Sequence, residues 1–143
     1  VVDRFLHEIA EEFRQAGQDV TCRTCPSARV TAPPTALRRA IFNLVQNAVI
    51  YGDGKPVTLH CEITPNSVDI RVVDRGPGIP AGERQKIFEP FHRLEGSRSR
   101  ATGGSGLGLA IVHQLCVANG WTIEAGPGAD GAGSTFTLSL PAR

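Results

Sequence analysis

The chain has 143 residues, of which 41% are hydrophobic and 20% are charged, and its formal net charge at pH 7 is +1. These values are ordinary for one globular domain of residues 1–143, and the small net charge gives no case for a surface that binds nucleic acid or a membrane. No apolar run approaches the roughly 18 residues of a membrane-spanning helix, and no signal-peptide pattern opens the sequence.

The first half of the chain is predicted to form a helix, two short strands and a second helix. Apolar residues at helical spacing predict a helix over 3–16 and a second helix over 35–51, which follows two prolines and ends at a glycine-rich turn. Between them, 19–24 and 28–31 alternate enough between polar and apolar residues to predict two short strands joined by a turn.

The second half begins with a predicted hairpin of strands 56–64 and 67–74, followed by a short helical piece at 83–88. A third long helix, 107–119, precedes two last strands, 121–125 and 134–140. On this helix the apolar stripe that we expect to face the core consists of Leu107, Ile111, Leu115 and Ala118. The order of elements predicts an α+β fold, a two-layer sandwich in which three helices cover one face of a mixed, mainly antiparallel sheet of about five or more strands. The other face of the sheet should be partly open or half polar.

The spacing of the four cysteines does not fit the pattern of a metal site. Cys22 and Cys25 form a CxxC pattern, whereas Cys61 and Cys116 are isolated in the sequence. A zinc site would need a second close pair of ligands, and Pro26 after the pattern indicates a turn rather than the helix of a thioredoxin-like motif. We interpret the cysteines as reduced thiols, which is typical of an intracellular protein.

A cluster of glycines lies directly before the third helix, at Gly103, Gly104, Gly106 and Gly108. Such a run is often only a turn. It can also bind phosphate, because glycine lets a ligand approach the backbone and the first turn of the helix offers unpaired N–H groups. The polar segment before it carries basic residues that are either solvated or directed at phosphate oxygens.

Two further features admit both a structural and a functional interpretation. Asn43 and Asn47 lie one turn apart beside the apolar stripe of the second helix, although Asn is a mediocre helix former. Their amides either bond neighbouring loops or reach a metal-bound phosphate. Asp74 ends a strand just before Gly76 and Gly78, so its carboxylate either forms a turn or accepts a hydrogen bond from an exocyclic amine.

Four motifs occur in an order that resembles the ATP-binding domain of sensor histidine kinases. Residues 43–48 resemble its N box, 74–79 its first glycine box, 88–91 its F box and 104–109 its second glycine box. Residues 131–136 are similar to its terminal glycine motif, so the likeness spans nearly the whole chain. The resemblance implies membership of the GHKL superfamily of ATPases and kinases, whose α/β sandwich is known as the Bergerat fold.

The resemblance also implies the site. Asn47 should bind Mg²⁺ that bridges the ATP phosphates, with Asn43 beside it, and these two are the catalytic candidates. Asp74 should accept a hydrogen bond from the adenine amino group, and Thr135 should support Asp74. The segment at about 93–104 should form a lid over ATP. The remaining residues that the resemblance assigns to ATP are Tyr51, Gly76, Gly78, Ile79, Arg93, Arg98, Gly104, Ser105, Gly106, Leu107 and Gly108.

The implied function is that of a protein histidine kinase, which donates the γ-phosphoryl group of ATP to a histidine on a separate dimerisation domain. ATP-hydrolysing members of the superfamily carry a water-activating Glu four residues before the Mg²⁺ ligand. Here that position is Asn43, which cannot act as a general base, so transfer is favoured over hydrolysis. The four histidines are scattered and none resembles the phosphoacceptor, so we expect the chain to be a domain of a longer protein.

The resemblance implies further partners and a location. A response regulator should receive the phosphoryl group, and the domain itself should contact neither nucleic acid nor membrane. The full-length protein should be anchored in the inner or plasma membrane with this domain on the cytoplasmic side.

One position departs from the family pattern. Histidine kinases often carry Lys or Arg between the second Asn and the Tyr, and this chain has Ile50 there. A degenerate nucleotide-binding or regulatory domain of the same fold therefore stays an alternative, as does an anti-sigma-type serine kinase, which shares the motifs.

Overall fold

The computed structural model describes residues 2–23, 30–52, 55–76, 82, 86–88, 108–128 and 133–141. Within these residues, three α-helices pack on one face of a five-stranded sheet. The elements are α1 (Val2–Gln15), β1 (Val20–Cys22), α2 (Pro34–Tyr51), β2 (Val57–Ile63), β3 (Ser67–Asp74), a 3-10 turn (Lys86–Phe88), α3 (Gly108–Asn119), β4 (Thr122–Pro127) and β5 (Ser134–Pro141).

The sheet has the strand order β1-β2-β3-β5-β4. β1 and β2 pair in parallel, whereas the pairs β2–β3, β3–β5 and β5–β4 are antiparallel. The predicted mixed, mainly antiparallel sheet under three helices is therefore confirmed. No helix in the described ranges is both long enough and apolar enough to cross a membrane.

Alternation along β3 and β5 separates a core face from an open face. The core side carries the paired residues Val68 and Leu140, Ile70 and Leu138, and Val72 and Phe136, all of them buried. These cross-strand pairs meet buried side chains of the three helices, so the hydrophobic core lies between the two layers. Phe88 of the 3-10 turn also contacts this core, with its ring edge-on to Phe136 at a centroid distance of 6.3 Å.

α2, which carries the two asparagines, is fixed against α1 by one aromatic and one ionic contact. The rings of Phe13 and Phe42 have centroids 4.9 Å apart, and Arg38 Nη2 lies 2.6 Å from the carboxylate of Glu12. The prolines at its start suit the first turn, where a backbone N–H has no partner in the helix. The first half of α2 is thereby held against α1.

The opposite face of the sheet is half polar, as predicted. It forms a groove of about 380 Å³ lined by His60, Arg71, Val73, Glu124, Ala125, Gly126, Pro127, Thr135 and Thr137. Burial lowers the pKa of His60, and the positive charges of Arg71 and Arg23 lower it further, while Glu62 acts in the opposite direction. This environment therefore favours the neutral form of the imidazole.

The predicted inward stripe of α3 is wrong in part: Leu115 packs against the core as expected, but the most buried residues of the helix are others. The buried residues are Leu109, Ala110, Val112 and Cys116, whereas Ile111 and Leu115 are half-buried and Ala118 is exposed; Leu107 lies outside the described residues. The helix is apolar on almost every side, so hydrophobic spacing fits two different faces. Burial raises the pKa of the Cys116 thiol to about 11, which keeps it protonated at neutral pH.

The predicted pair of strands before α2 also differs from the structure. β1 is short and pairs with β2, and Val30 and Thr31 belong to no strand, while 24–29 lie outside the described residues. Val30 instead packs against the core. Alternation over so few residues predicts an extended chain, but it does not predict which partner satisfies its backbone.

Candidate functional site

Asp74 is a buried carboxylate whose orientation is fixed by two hydrogen bonds. Only 3% of the residue is exposed at the end of β3. Its Oδ1 accepts a hydrogen bond from the Gly76 N–H at 3.0 Å, and its Oδ2 accepts one from the Ser134 hydroxyl at 2.5 Å. Burial of a carboxylate is costly without such donors, and each oxygen can accept more than one hydrogen bond. The group is thus held in place with acceptor capacity left for a ligand.

The loop before β5 brings Ser134 to Asp74 through a close approach of two backbones. The register pairs Asp74 directly with Ser134. Gly133, with φ of +80°, precedes the pair, and a Cβ there would lie 2.0 Å from the Asp74 carbonyl oxygen. A glycine is therefore required at this position, both for its conformation and for space.

The expected support of Asp74 by Thr135 is wrong. Thr135 pairs with Val73 and lines the groove on the open face of the sheet, because successive side chains of a strand point to opposite faces. Ser134, which the sequence analysis missed, takes this role instead. The sequence did contain a signal for Ser134, because residues two apart point to the same face of a strand and Ser134 lies two residues before the apolar residue Phe136.

In the middle of α2, the amide oxygen of Asn43 lies beside the start of α3. Asn43 Nδ2 donates a hydrogen bond to the Arg39 carbonyl at 2.9 Å, so its Oδ1 remains available as an acceptor. A Cβ on Gly108, the first residue of α3, would lie 3.7 Å from that Oδ1. The first N–H groups of a helix have no partner within it. An amide oxygen and the first turn of a helix therefore occur together here.

α2 joins these two places. A Cβ on Gly52, which caps α2, would lie 3.7 Å from the Asp74 Cβ. Residues 43 to 52 span roughly 13 Å along a helix axis. Asn47 is half-buried on α2 between Asn43 and Gly52. The arrangement suits an elongated ligand that has a hydrogen-bond donor at one end and anionic groups at the other.

Most of the remaining predicted site residues lie outside the part of the chain that the structure describes. Ile50, which departs from the family pattern, is half-buried on α2. Outside the described residues lie the side chain of Tyr51, the lid at about 93–104, and Gly78, Ile79, Arg93, Arg98, Gly104, Ser105, Gly106 and Leu107. Their roles stay predictions.

Comparison with known proteins identifies the family. Residues 32–143 match the model of the histidine kinase-, DNA gyrase B- and HSP90-like ATPases. The chain belongs to this family. The sensor-like histidine kinase SenX3 of Mycobacterium tuberculosis is 41% identical over 146 residues, which cover 99% of this chain and 35% of that protein. The chain thus spans about a third of the length of this curated relative.

Two further proteins are similar to this chain over almost its whole length. The sensor histidine kinase component HK1 of Mycobacterium tuberculosis is 37% identical over 137 residues, which cover 95% of this chain and 79% of that protein. The crystal structure of full-length ShkA in complex with AMPPNP has a TM-score of 0.82 at 28% identity, and the match covers 99% of this chain and 30% of that one. The family and the fold implied by the motifs are therefore confirmed, and the chain is similar over almost its whole length to one part of these sensor histidine kinases.

Removal of the Ser134 hydroxyl tests the support of Asp74. Ser134→Ala leaves the buried carboxylate with one donor fewer, so we expect the free energy of unfolding to fall by about 1–3 kcal/mol. ATP affinity should fall about three- to tenfold, because the carboxylate is no longer held in one orientation. Urea denaturation and calorimetric titration measure the two effects. Ser139→Ala, on the same strand but on the open face, is the matched control, and equal losses in both variants would contradict this role.

Proposed function

We propose that this domain binds Mg-ATP along α2 and donates the γ-phosphoryl group to a histidine on a separate dimerisation domain. The observation that carries the proposal is the fixed carboxylate of Asp74, which receives hydrogen bonds from Ser134 and Gly76 on one side. Its remaining acceptor capacity suits the exocyclic amine of adenine. A base held there directs the phosphates along α2, towards Asn43 and the start of α3.

The phosphate end of the site suits a hard cation shared with the nucleotide. Asn43 Oδ1 faces the start of α3, because the Nδ2 group is engaged by the Arg39 carbonyl. Amide and phosphate oxygens are ligands that Mg²⁺ accepts, and Mg²⁺ usually keeps several waters. Among the described residues, no group of three or more His, Cys, Asp or Glu side chains could hold a metal ion alone. In this proposal Asn47, with Asn43 beside it, would hold Mg²⁺ together with ATP, and the bound cation would neutralise phosphate charge.

The residues at the phosphate end favour transfer to a protein over hydrolysis. A general base must lie within hydrogen-bond reach of the water that it activates. The amide of Asn43 cannot take a proton, and its Nδ2 is already a donor to the helix backbone. Phosphoryl transfer depends mainly on positioning and on charge neutralisation, which α2 and the start of α3 can supply.

The acceptor histidine belongs to another domain. His7 lies on α1, His60 on the open sheet face and His113 on the exposed side of α3, so these three do not converge at Asn43.

Val117, 72% exposed on α3, offers an apolar contact for a partner on the helix side. A response regulator then takes the phosphoryl group, and we place the domain in the cytoplasm of a membrane-anchored protein.

A reconstituted transfer reaction tests the proposal. The domain is mixed with the histidine-bearing dimerisation domain of the full-length protein and with γ-labelled ATP. We expect an acid-labile phosphohistidine on the partner and little free phosphate. ATP binding without transfer would instead indicate a regulatory nucleotide-binding domain, and acid-stable phosphoserine on a protein partner would indicate the anti-sigma type of kinase.

A further inference from the structure

Arg39 is an exposed arginine on α2, one helical turn before Asn43. Asn43 Nδ2 donates its hydrogen bond to the backbone carbonyl of Arg39 at 2.9 Å, so the amide at the phosphate end of the site rests directly on residue 39. Residues four apart lie on the same face of a helix, one above the other. The guanidinium side chain therefore starts from the residue that this amide touches.

The direction of α2 places Arg39 on the side of the site that is farther from the proposed adenine pocket. The end of α2 lies beside Asp74, since a Cβ on Gly52 would be 3.7 Å from the Asp74 Cβ. Residues 39 to 52 span roughly 20 Å along a helix axis, which is about 6 Å more than residues 43 to 52 span. Side chains of a helix lean towards its N-terminus, so those of Arg39 and Asn43 lean away from Asp74. In ATP, the γ-phosphate is the phosphate farthest from the base.

The neighbouring Arg38 has structural partners, whereas the Arg39 side chain has none among the described residues. Arg38 Nη2 lies 2.6 Å from the carboxylate of Glu12, and the guanidinium lies 5.9 Å from the centre of the Phe42 ring. In the part of the chain that the structure describes, no hydrogen bond or ion pair engages the guanidinium of Arg39. Its five donors therefore remain available for a ligand.

We propose that Arg39 is a catalytic residue that binds the γ-phosphate of ATP and offsets its charge during transfer. This inference rests on the function proposed above. A guanidinium fork matches two phosphate oxygens, and a cation placed where charge develops stabilises the transition state. Asn43 would serve the cation shared with the phosphates, and Arg39 would contact the phosphate oxygens themselves.

Arg39 acts in this transfer through charge alone. The bond between the γ-phosphorus and the oxygen that bridges it to the β-phosphate breaks, and its electron pair stays on that oxygen of ADP. A ring nitrogen of the acceptor histidine forms the new bond to phosphorus, and the second ring nitrogen releases its proton to water. Arg39 forms no bond and moves no proton, but it offsets negative charge on the γ-phosphoryl oxygens.

The expected losses depend on the presence of the γ-phosphate. We expect Arg39→Ala to weaken the binding of Mg-ATP about three- to tenfold and to change the affinity for Mg-ADP by less than about twofold, because ADP lacks that group. At saturating ATP, the rate of transfer to the histidine-bearing domain should fall about 10- to 100-fold. Arg39→Lys keeps the charge but not the fork, so it should recover part of both losses.

Calorimetric titration with Mg-ATP and with Mg-ADP measures the first effect. Arg38→Ala is the matched control, because it removes the same charge from the preceding residue, whose guanidinium is engaged by Glu12. The control should leave the ratio of ATP affinity to ADP affinity unchanged. An unchanged ratio in Arg39→Ala, or an equal change in both variants, would overturn the proposal. If the original chain does not bind Mg-ATP, the proposed function itself is refuted.

The reconstituted transfer reaction distinguishes a contact with the nucleotide from a contact with the acceptor domain. Its rate is measured at saturating ATP and at rising concentrations of the histidine-bearing domain. We expect Arg39→Ala to lower the maximal rate and to change the domain concentration that gives half of that rate by less than about twofold. A rise in that concentration with an unchanged maximal rate would assign Arg39 to docking of the acceptor domain and would overturn the proposal.

Discussion

Asp74→Asn is expected to weaken the binding of Mg-ATP about 10- to 100-fold. The carboxylate accepts hydrogen bonds from the Gly76 N–H and the Ser134 hydroxyl on its two oxygens. An amide can present one oxygen to these donors, and its NH₂ group then opposes either a protein donor or the adenine amine. Loss of a hydrogen bond to a charged group costs about 1.5–3 kcal/mol, which corresponds to the expected range of affinity.

Calorimetric titration of Asp74→Asn with Mg-ATP measures this loss, and a second aspartate of the same strand provides the control. Asp69 points to the open face, where Ser67 Oγ donates a hydrogen bond to it at 2.8 Å and Arg71 lies nearby. Asp69→Asn removes the same charge from β3 without touching the proposed adenine pocket. Undiminished ATP binding in Asp74→Asn, or equal losses in both variants, would place the base elsewhere.

The sequence was sufficient for the elements whose patterns admit one interpretation. α2 shows one apolar stripe and is preceded by prolines, and β3 alternates from Ser67 to Val72, so their ends agree with the structure within about one residue. α3 failed because it is apolar on nearly all sides, and buried residues such as Val112 could not be distinguished from Ile111. The short strand predicted over 28–31 failed because alternation over a few residues carries little information about pairing.

The site residues also divide into those that local sequence patterns could predict and those that depend on tertiary structure. Asn43 and Asp74 lie in local motifs, so single stretches of sequence were enough to nominate them. Ser134 required the register between β3 and β5, which is a tertiary fact, although parity along β5 could have separated it from Thr135.

Gly133→Ala is expected to lower the free energy of unfolding by roughly 2–5 kcal/mol and to weaken ATP binding more than about tenfold. A side chain in the left-handed region costs about 1–2 kcal/mol, and φ at this residue is +80°. The new Cβ would also lie 2.0 Å from the Asp74 carbonyl oxygen and 2.8 Å from Arg75 Cα. Overpacking of this kind costs about 1–3 kcal/mol, and its relief moves the backbone that carries the Asp74 carboxylate.

Gly17→Ala separates the two causes, because Gly17 has φ of +88° and nothing within 4 Å of a Cβ. It should show the conformational cost alone, about 1–2 kcal/mol, and leave ATP affinity unchanged. Urea denaturation of both variants gives the difference in unfolding free energy, and titration with Mg-ATP shows whether that difference reaches the site. If the two variants lose equal stability and both retain ATP affinity, then the approach of Gly133 to Asp74 does not position the carboxylate.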